Sequence, residues 1–410
     1  MLKKLLLSIF VTLSAFATQP STPTLPKTPK SVLEKSIEQA KAKGMVVENR
    51  KTTDTTDAFD LVIKDFSKLT GMPPQEASGL DKNASQTPPK DPYSEFNGIA
   101  FHTDVEYKQE SYLSTLYLSN FPMKEMSKEE KSVVERIINN KLLYITSEHN
   151  VVTNAFTMEV KDIDEQFETI HIKTSGFKGH GTYDMDNLDT QDMKLNIASM
   201  MLKPTEKKFL GEYLTINNLY LNLNATPSDK MLNLNYNIGV ELIDANISKK
   251  VTKVNKANMD IAFTNIDRTS YNKLVELSQS NTVIDPNSPE FMNLLTGLIT
   301  QDIAIEIKDL STDDLVVDSQ KMGSFKANAK VTLKKDPNLE QLLKINPMMA
   351  LSAIEVNAHI ELSQAMLKTL SQTPKGAMLA FIPPKMEKDM AIYDIQYTDG
   401  KLLVNGKPLQ

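Results

Sequence analysis

Cysteine does not occur anywhere in the 410 residues. Its absence excludes disulfides, thiolate zinc sites, cysteine nucleophiles and a lipid-anchored lipobox, so folding rests on burial alone. Arginine is nearly as scarce, with Arg50, Arg136 and Arg268 the only ones and far apart in sequence. The planar guanidinium is the usual choice for bidentate phosphate recognition, and the formal net charge is -6. Both observations argue against a nucleic-acid partner, which needs a clustered positive surface. The lysines are abundant but interleaved with Asp and Glu, the pattern of a solvated surface.

Catalytic signatures are missing too. The five histidines, His102, His149, His171, His180 and His359, include no helical i, i+4 pair and no His-Glu-x-x-His. There is no Gly-x-Ser-x-Gly elbow, Walker loop or dinucleotide fingerprint. Ser175-Gly-Phe-Lys178 satisfies Ser-x-x-Lys, but its companion motifs Ser-Asp-Asn and Lys-Thr-Gly are absent. His180, flanked by glycines, lies beside Asp184, Asp186, Asp189 and Asp192. Such oxygen ligands could hold calcium, yet the glycine and glutamate of an EF-hand loop are lacking, and a polar turn is the plainer expectation. Nothing implies a metal or a cofactor.

The N-terminus is informative. Lys3 and Lys4 lead into the apolar run Leu5 to Phe16, which ends in Ala15-Phe16-Ala17. A basic region, a short apolar core and a small-x-small ending are read as a cleaved signal peptide over residues 1–17. The alternative is a retained inner-membrane anchor, although the run is shorter than a spanning helix usually needs. Residues 18–30 are rich in proline, serine, threonine and lysine and form an extended linker. A second proline-rich linker covers 71–93, which sets off a helix-strand segment at 31–70 from a main β-rich domain at 94–410.

Helix signals are few. Ser31 with Glu34, and Ser127 with Glu130, fit the capping box, predicting helices over 32–43 and over a segment with Val133, Val134, Ile137 and Ile138 on one face. Ser288-Pro289-Glu290 places a cap and an N1 proline before residues 291–299. Weaker candidates are 270–279, 338–345 and 363–371.

A recurring strand pattern dominates the rest. Apolar residues alternate two apart, a polar residue and an Asp or Asn follow, and an apolar residue returns three positions after the last. It occurs at Phe59 to Phe66, Leu116 to Phe121, Phe156 to Ile163, Tyr183 to Leu188, Leu214 to Leu219, Met259 to Ile266 and Ile303 to Leu310. Alternation marks a strand with one buried face. The step of three would flip that face unless the Asp or Asn absorbs one residue in a bulge or αL bend. The expected fold is therefore α+β and predominantly antiparallel β: a long curved sheet of quasi-repeated bulged strands with several covering helices.

The repeated pattern, the phrase from Ile261 to Leu274 and the closing Val404-Asn-Gly-Lys-Pro-Leu409 resemble the YdgA-like proteins, a bacterial envelope family whose domain has no assigned function. The likeness runs from about residue 95 to the C-terminus. It implies a periplasmic location, a β-rich body and no catalytic residues to carry over. This chain departs from it in a shorter body and a cleavable-looking N-terminus. A weaker likeness is to AsmA-like envelope proteins, whose grooves are associated with lipid.

The expectation is a periplasmic, non-enzymatic protein that binds or scaffolds lipid or an envelope protein through an apolar sheet face. The dense methionines, such as Met200-Met201 and Met348-Met349, would help line such a face or fill the core. Membrane association follows if the signal segment is retained. Two alternatives stand beside it: a periplasmic hydrolase with a site near His180 and the Asp184–Asp192 cluster, and a purely structural envelope protein.

Overall fold

The computed structural model describes residues 28–409 other than 71–93, 125, 184–188, 207–208, 280–287, 289–290, 292, 295–296, 299–301, 336–352 and 374–381. The signal-like segment 1–17, most of the first linker, the second linker, the pattern copy at Tyr183 to Leu188 and the helical candidate 338–345 lie wholly or largely outside the described residues. The chain divides into two compact units, Met1–Ile163 with Lys178–Asp186, and Asp164–Phe177 with Asn187–Gln410. The described structure is mostly antiparallel β with few helices.

The first unit is a meander. Strands β1 (Met45–Thr52), β2 (Thr56–Ile63), β3 (Ala100–Tyr107), β4 (Ser111–Asn120), β5 (Tyr144–Asn150) and β6 (Ala155–Val160) pair antiparallel in that order. Because β2 pairs with β3 across residues 71–93, the segment before that stretch shares a sheet with the strands after it. Phe59, Leu61, Ile63, Met45, Phe66, Ile99, Leu118 and Val134 make the core, all nearly or wholly buried. Burial of each large side chain stabilises by about 1.5–3 kcal/mol.

Helix α1 (Pro29–Ala42) lies against β1 and β4 through Leu33, Ile37 and Ala40. Its cap differs from expectation. Thr28, not Ser31, is the N-cap: its hydroxyl accepts from Ser31 N at 3.1 Å, and Ser31 Oγ accepts from Thr28 N at 2.9 Å. Pro29 at N1, which has no N–H to lose, starts the helix earlier. Glu34 is thereby released from capping and takes the guanidinium of Arg50. The same guanidinium holds Asp57, whose carboxylate also accepts from Thr52 at 3.0 Å and Tyr107 at 3.3 Å and is buried completely. Helix α2 is the short Phe66–Thr70. Helix α3 (Lys128–Asn139) carries the expected box, Ser127 with Glu130, and buries Val133, Val134 and Ile137.

β7 (Ile163–Gln166) and β8 (Ile170–Thr182) each contribute residues to both units. In the second unit, β9 (Asp192–Pro204), β10 (Tyr213–Pro227), β11 (Met231–Ile247), β12 (Lys250–Asp267), β13 (Ala304–Val317), β14 (Gln320–Leu333) and β15 (Ile354–Ser363) pair antiparallel in chain order. β15 then pairs with β17 (Met390–Thr398), which is flanked in turn by β16 (Lys385–Glu387) and β18 (Lys401–Val404), and β19 (Lys407–Pro408) follows β18. Helix α4 (Arg268–Gln279) closes a cluster of Ala225, Leu232, Leu234 and Ile266 with Tyr271. At the other end, α5 (Gln364–Ser371), capped by Ser363, brings Met366 against Leu362, Ala391 and Tyr393. Phe291 N donates to Ser288 Oγ at 3.2 Å, the cap expected there.

The pattern copies divide into two kinds. In β12 the step of three from Phe263 to Ile266 spans the step of two from Leu234 to Leu232 in β11, with Asn265 at φ 59. In β13, Ile307 to Leu310 similarly spans Ala329 to Ala327. Both are bulges that return the next apolar residue to the same side. Asn218 in β10 is also left-handed, at φ 48, and the alternation changes phase there. At Lys64-Asp65 and Lys161-Asp162, by contrast, the strand simply stops. Asp65 Oδ1 accepts from Lys68 N at 2.9 Å and starts α2, while Lys161-Asp162 separates β6 from β7. Asp caps a helix as readily as it fills a bend, and neighbouring strands decide which.

Candidate functional site

The register of the second unit sorts its side chains into rows that run across seven strands. One row is Leu221, Ile238, Met259, Leu310, Ala327, Ile360 and Tyr393, each opposite the next. The rows that begin at Leu223 and Ala225 are equally apolar, ending at Ile395 and Tyr397. Strand bulges keep these rows in phase, because a one-residue slip would send each row to the opposite face. The helices described above close the ends of this face, whereas Ile238, Ile305 and Val331 stay 37%, 45% and 38% exposed. A contiguous aliphatic surface of this kind normally marks a contact site.

The opposite face is polar and bonded to itself. Asn258 accepts from Tyr220 Oη and Asn237 Nδ2, both at 3.1 Å, and donates to Asp309 Oδ2 at 2.7 Å. Ser311 Oγ donates to the same oxygen at 3.0 Å, so one network ties β10, β11, β12 and β13 together. Further along the face a cleft of about 760 Å³ is lined by Lys330, Asn357, His359, Asp394 and Gln396, among others. His359 stands between Asp394, at 2.6 Å from Nδ1, and Glu361, at 3.0 Å from Nε2. The hydrogen bonds to Asp394 and then Glu361 raise its pKa and favour the imidazolium. With both ring nitrogens engaged, His359 has no lone pair with which to take a proton from a nucleophile.

The residues singled out from sequence do not converge. His180 is exposed on β8. Asp184 and Asp186 lie outside the described residues. Asp189 is completely buried under Arg268 and Asn272, and Asp192 opens β9. Ser175 and Lys178 lie on β8, where Lys178 reaches Glu159 at 3.4 Å. His102 and His171 lie against aspartates, Asp60 and Asp164, each at 2.7 Å, and His149 stacks on Tyr112 with centroids 5.5 Å apart. Among the described residues no three His, Asp or Glu side chains are grouped to hold a metal. What alternation alone could not reveal is the partner of each strand, and hence the rows.

The fold and its two faces define an antiparallel β domain with an aliphatic side and a hydrogen-bonded polar side. The chain belongs to the bacterial proteins of unknown function grouped as DUF945, whose family model matches residues 142–381. That span contains β10 to β15, six of the seven strands that carry the rows; β17 and the closing Val404 to Leu409 phrase fall beyond it. No curated protein and no solved structure matches the chain, and none of the comparisons supports the AsmA-like likeness.

Proposed function

We propose that this is an exported, periplasmic envelope protein that binds the acyl chains of lipid on the apolar face of its second unit, without catalysing a reaction. The signal-like segment 1–17 and the YdgA-like resemblance support the location. The observation that carries the binding is the set of apolar rows that begin at Leu221, Leu223 and Ala225, with Ile238, Ile305 and Val331 accessible among them. The most exposed members, Ile238, Ile305 and Val331, are aliphatic and match a flexible chain, whereas the tyrosines of the rows, Tyr236, Tyr393 and Tyr397, are buried or half-buried. Protein hot spots instead draw on accessible tryptophan, tyrosine and arginine. Each methylene taken from water contributes about 0.8 kcal/mol, so a single acyl chain suffices for measurable binding.

Native mass spectrometry of gently purified protein tests this. A mass increment equal to a phospholipid or fatty acid is expected for the wild type and should be lost in Ile305→Asp/Val331→Asp. A ligand-free wild-type mass, or co-purification with a protein partner instead, overturns the lipid assignment.

A further inference from the structure

In an antiparallel meander every second connection returns to the same end of the sheet. In the second unit that end gathers residues 205–206 and 209–212 of the β9–β10 connection and the tight turns Ser248-Lys249, Asp318-Ser319 and Lys388-Asp389. Neighbouring connections are fastened to one another. Asn246 Nδ2 donates to Gly211 O at 3.0 Å, Ser248 N to Glu212 Oε1 at 3.0 Å, and Ser319 N to Val251 O at 2.7 Å. Gln364 N, at the start of α5, donates to Asp389 O at 3.3 Å.

The side chains on this rim are unusual for turns. Leu210 is 87% exposed, Ile247 55%, Met386 49%, Val317 42% and Phe209 38%. Beside them Lys249, Lys321 and Lys388 are exposed, and among the described residues no carboxylate pairs with them. Lys250 and Lys385 are occupied by Asp318 and Glu387. At the opposite end the turn between β10 and β11 is Ser228-Asp229-Lys230, with no apolar side chain. Phe209 and Leu210 lie in the connection itself, Ile247 and Val317 are the last paired residues of their strands, and Met386 stands one pair further in, so the exposed apolar side chains gather at the hairpin ends.

We propose that this rim is a docking surface for an anionic phospholipid bilayer, with Leu210, Ile247, Met386 and Val317 entering the interface and Lys249, Lys321 and Lys388 facing the headgroups. Aliphatic residues at a tip gain by leaving water for the acyl boundary. Lysines beside them gain near a negative membrane surface. The two requirements coincide on one end of the unit and on none of the turns at the other end described here. This docking is independent of acyl binding on the apolar face, and it requires no spanning segment.

The absence of cysteine makes the test clean, because one introduced thiol is the only one to label. Leu210→Cys in the full chain, carrying an environment-sensitive nitrobenzoxadiazole dye, should brighten several-fold and shift to the blue on addition of phosphatidylglycerol vesicles. Half-saturation should need at least about tenfold more lipid with phosphatidylcholine vesicles, given three lysines near the surface. The same dye on Asp229→Cys, at the opposite end, should not respond. Ile247→Asp/Val317→Asp in the Leu210→Cys background should reduce the response while its circular dichroism stays unchanged. No response at position 210, an equal response at position 229, or a response that grows with protein concentration in the absence of vesicles each overturns the proposal. The last outcome would assign the rim to self-association.

Discussion

Arg268 lies over Asp189 with two nitrogens on one carboxylate, Nη2 reaching Oδ1 at 3.2 Å while Nε takes Oδ2, and the aspartate side chain is wholly buried. Asn272 Nδ2 adds a third donor at 3.2 Å. An acidic residue that reads as part of an exposed cluster thus anchors the start of α4, and one of the chain's few arginines is its partner.

Removing that partner leaves a buried charge with only an amide to offset it. Arg268→Ala should destabilise the second unit by about 3 kcal/mol, within the usual range for a broken buried pair. Asp189→Asn, which removes the charge and keeps the shape, should cost less. Urea unfolding of both variants checks the order, and equal stability of Arg268→Ala and wild type would contradict it.

In the first unit, burial tends to raise the Asp57 pKa, but hydrogen bonds from Arg50, Thr52 and Tyr107 together hold it below the ordinary 3.8. Glu34 is lowered as well, chiefly by its hydrogen bond to Arg50. Folding therefore favours the ionised forms. Their contribution is complete above the ordinary carboxylate range and is lost as the pH falls through it and below. Thermal melting should show a steep acid limb, flatter in Asp57→Asn. An identical slope in that variant would rule out Asp57 as the source.

His359 acts in the opposite direction. Its pKa is raised, so its contribution is present below the ordinary 6.5 and is lost as the pH rises through the higher folded value. The wild type should melt at a lower temperature on the alkaline side of neutrality than just below pH 6.5, and His359→Gln should lose that component. Imidazole chemical shifts followed through a pH titration report the same event directly.

Gly239 lies opposite Tyr220, and a Cβ added there would stand 2.3 Å from the tyrosine ring. Gly239→Ala should cost about 1–3 kcal/mol through overpacking. Pairing it with Tyr220→Ala should recover part of that loss, a coupling that a double-mutant cycle measures. Strict additivity would mean that the ring moves aside freely.

The strands and their bulges at Asn265 and Lys308-Asp309 were legible because a step of three in an alternating run has one economical solution when strands flank both sides. The same letters at Lys64-Asp65 were misleading, since the residues after Ile63 turn into α2 and no local signal says so. The early start of α1 was hidden for a related reason: Ser31 and Glu34 fit a capping box, but the long-range attraction of Arg50 for Glu34 is invisible in a stretch of helix sequence. The apolar face was readable strand by strand, whereas its rows depend on which residue stands opposite which. The tips Ser248-Lys249 and Asp318-Ser319 carry no turn signal in the sequence, because left-handed turns usually announce themselves with Asn-Gly or Asp-Gly, and here all four residues have positive φ without a glycine.

Almost every strand pairs with its immediate successor in the chain, from β1 to β6 and again from β9 to β15. Such neighbour-to-neighbour zippering keeps loop closure short. Each hairpin can form as soon as its second half arrives, without waiting for the C-terminus. A polypeptide threaded unfolded from one end through a narrow opening could therefore assemble progressively on the far side, and a truncated chain should already hold the ladders of the strands that have emerged.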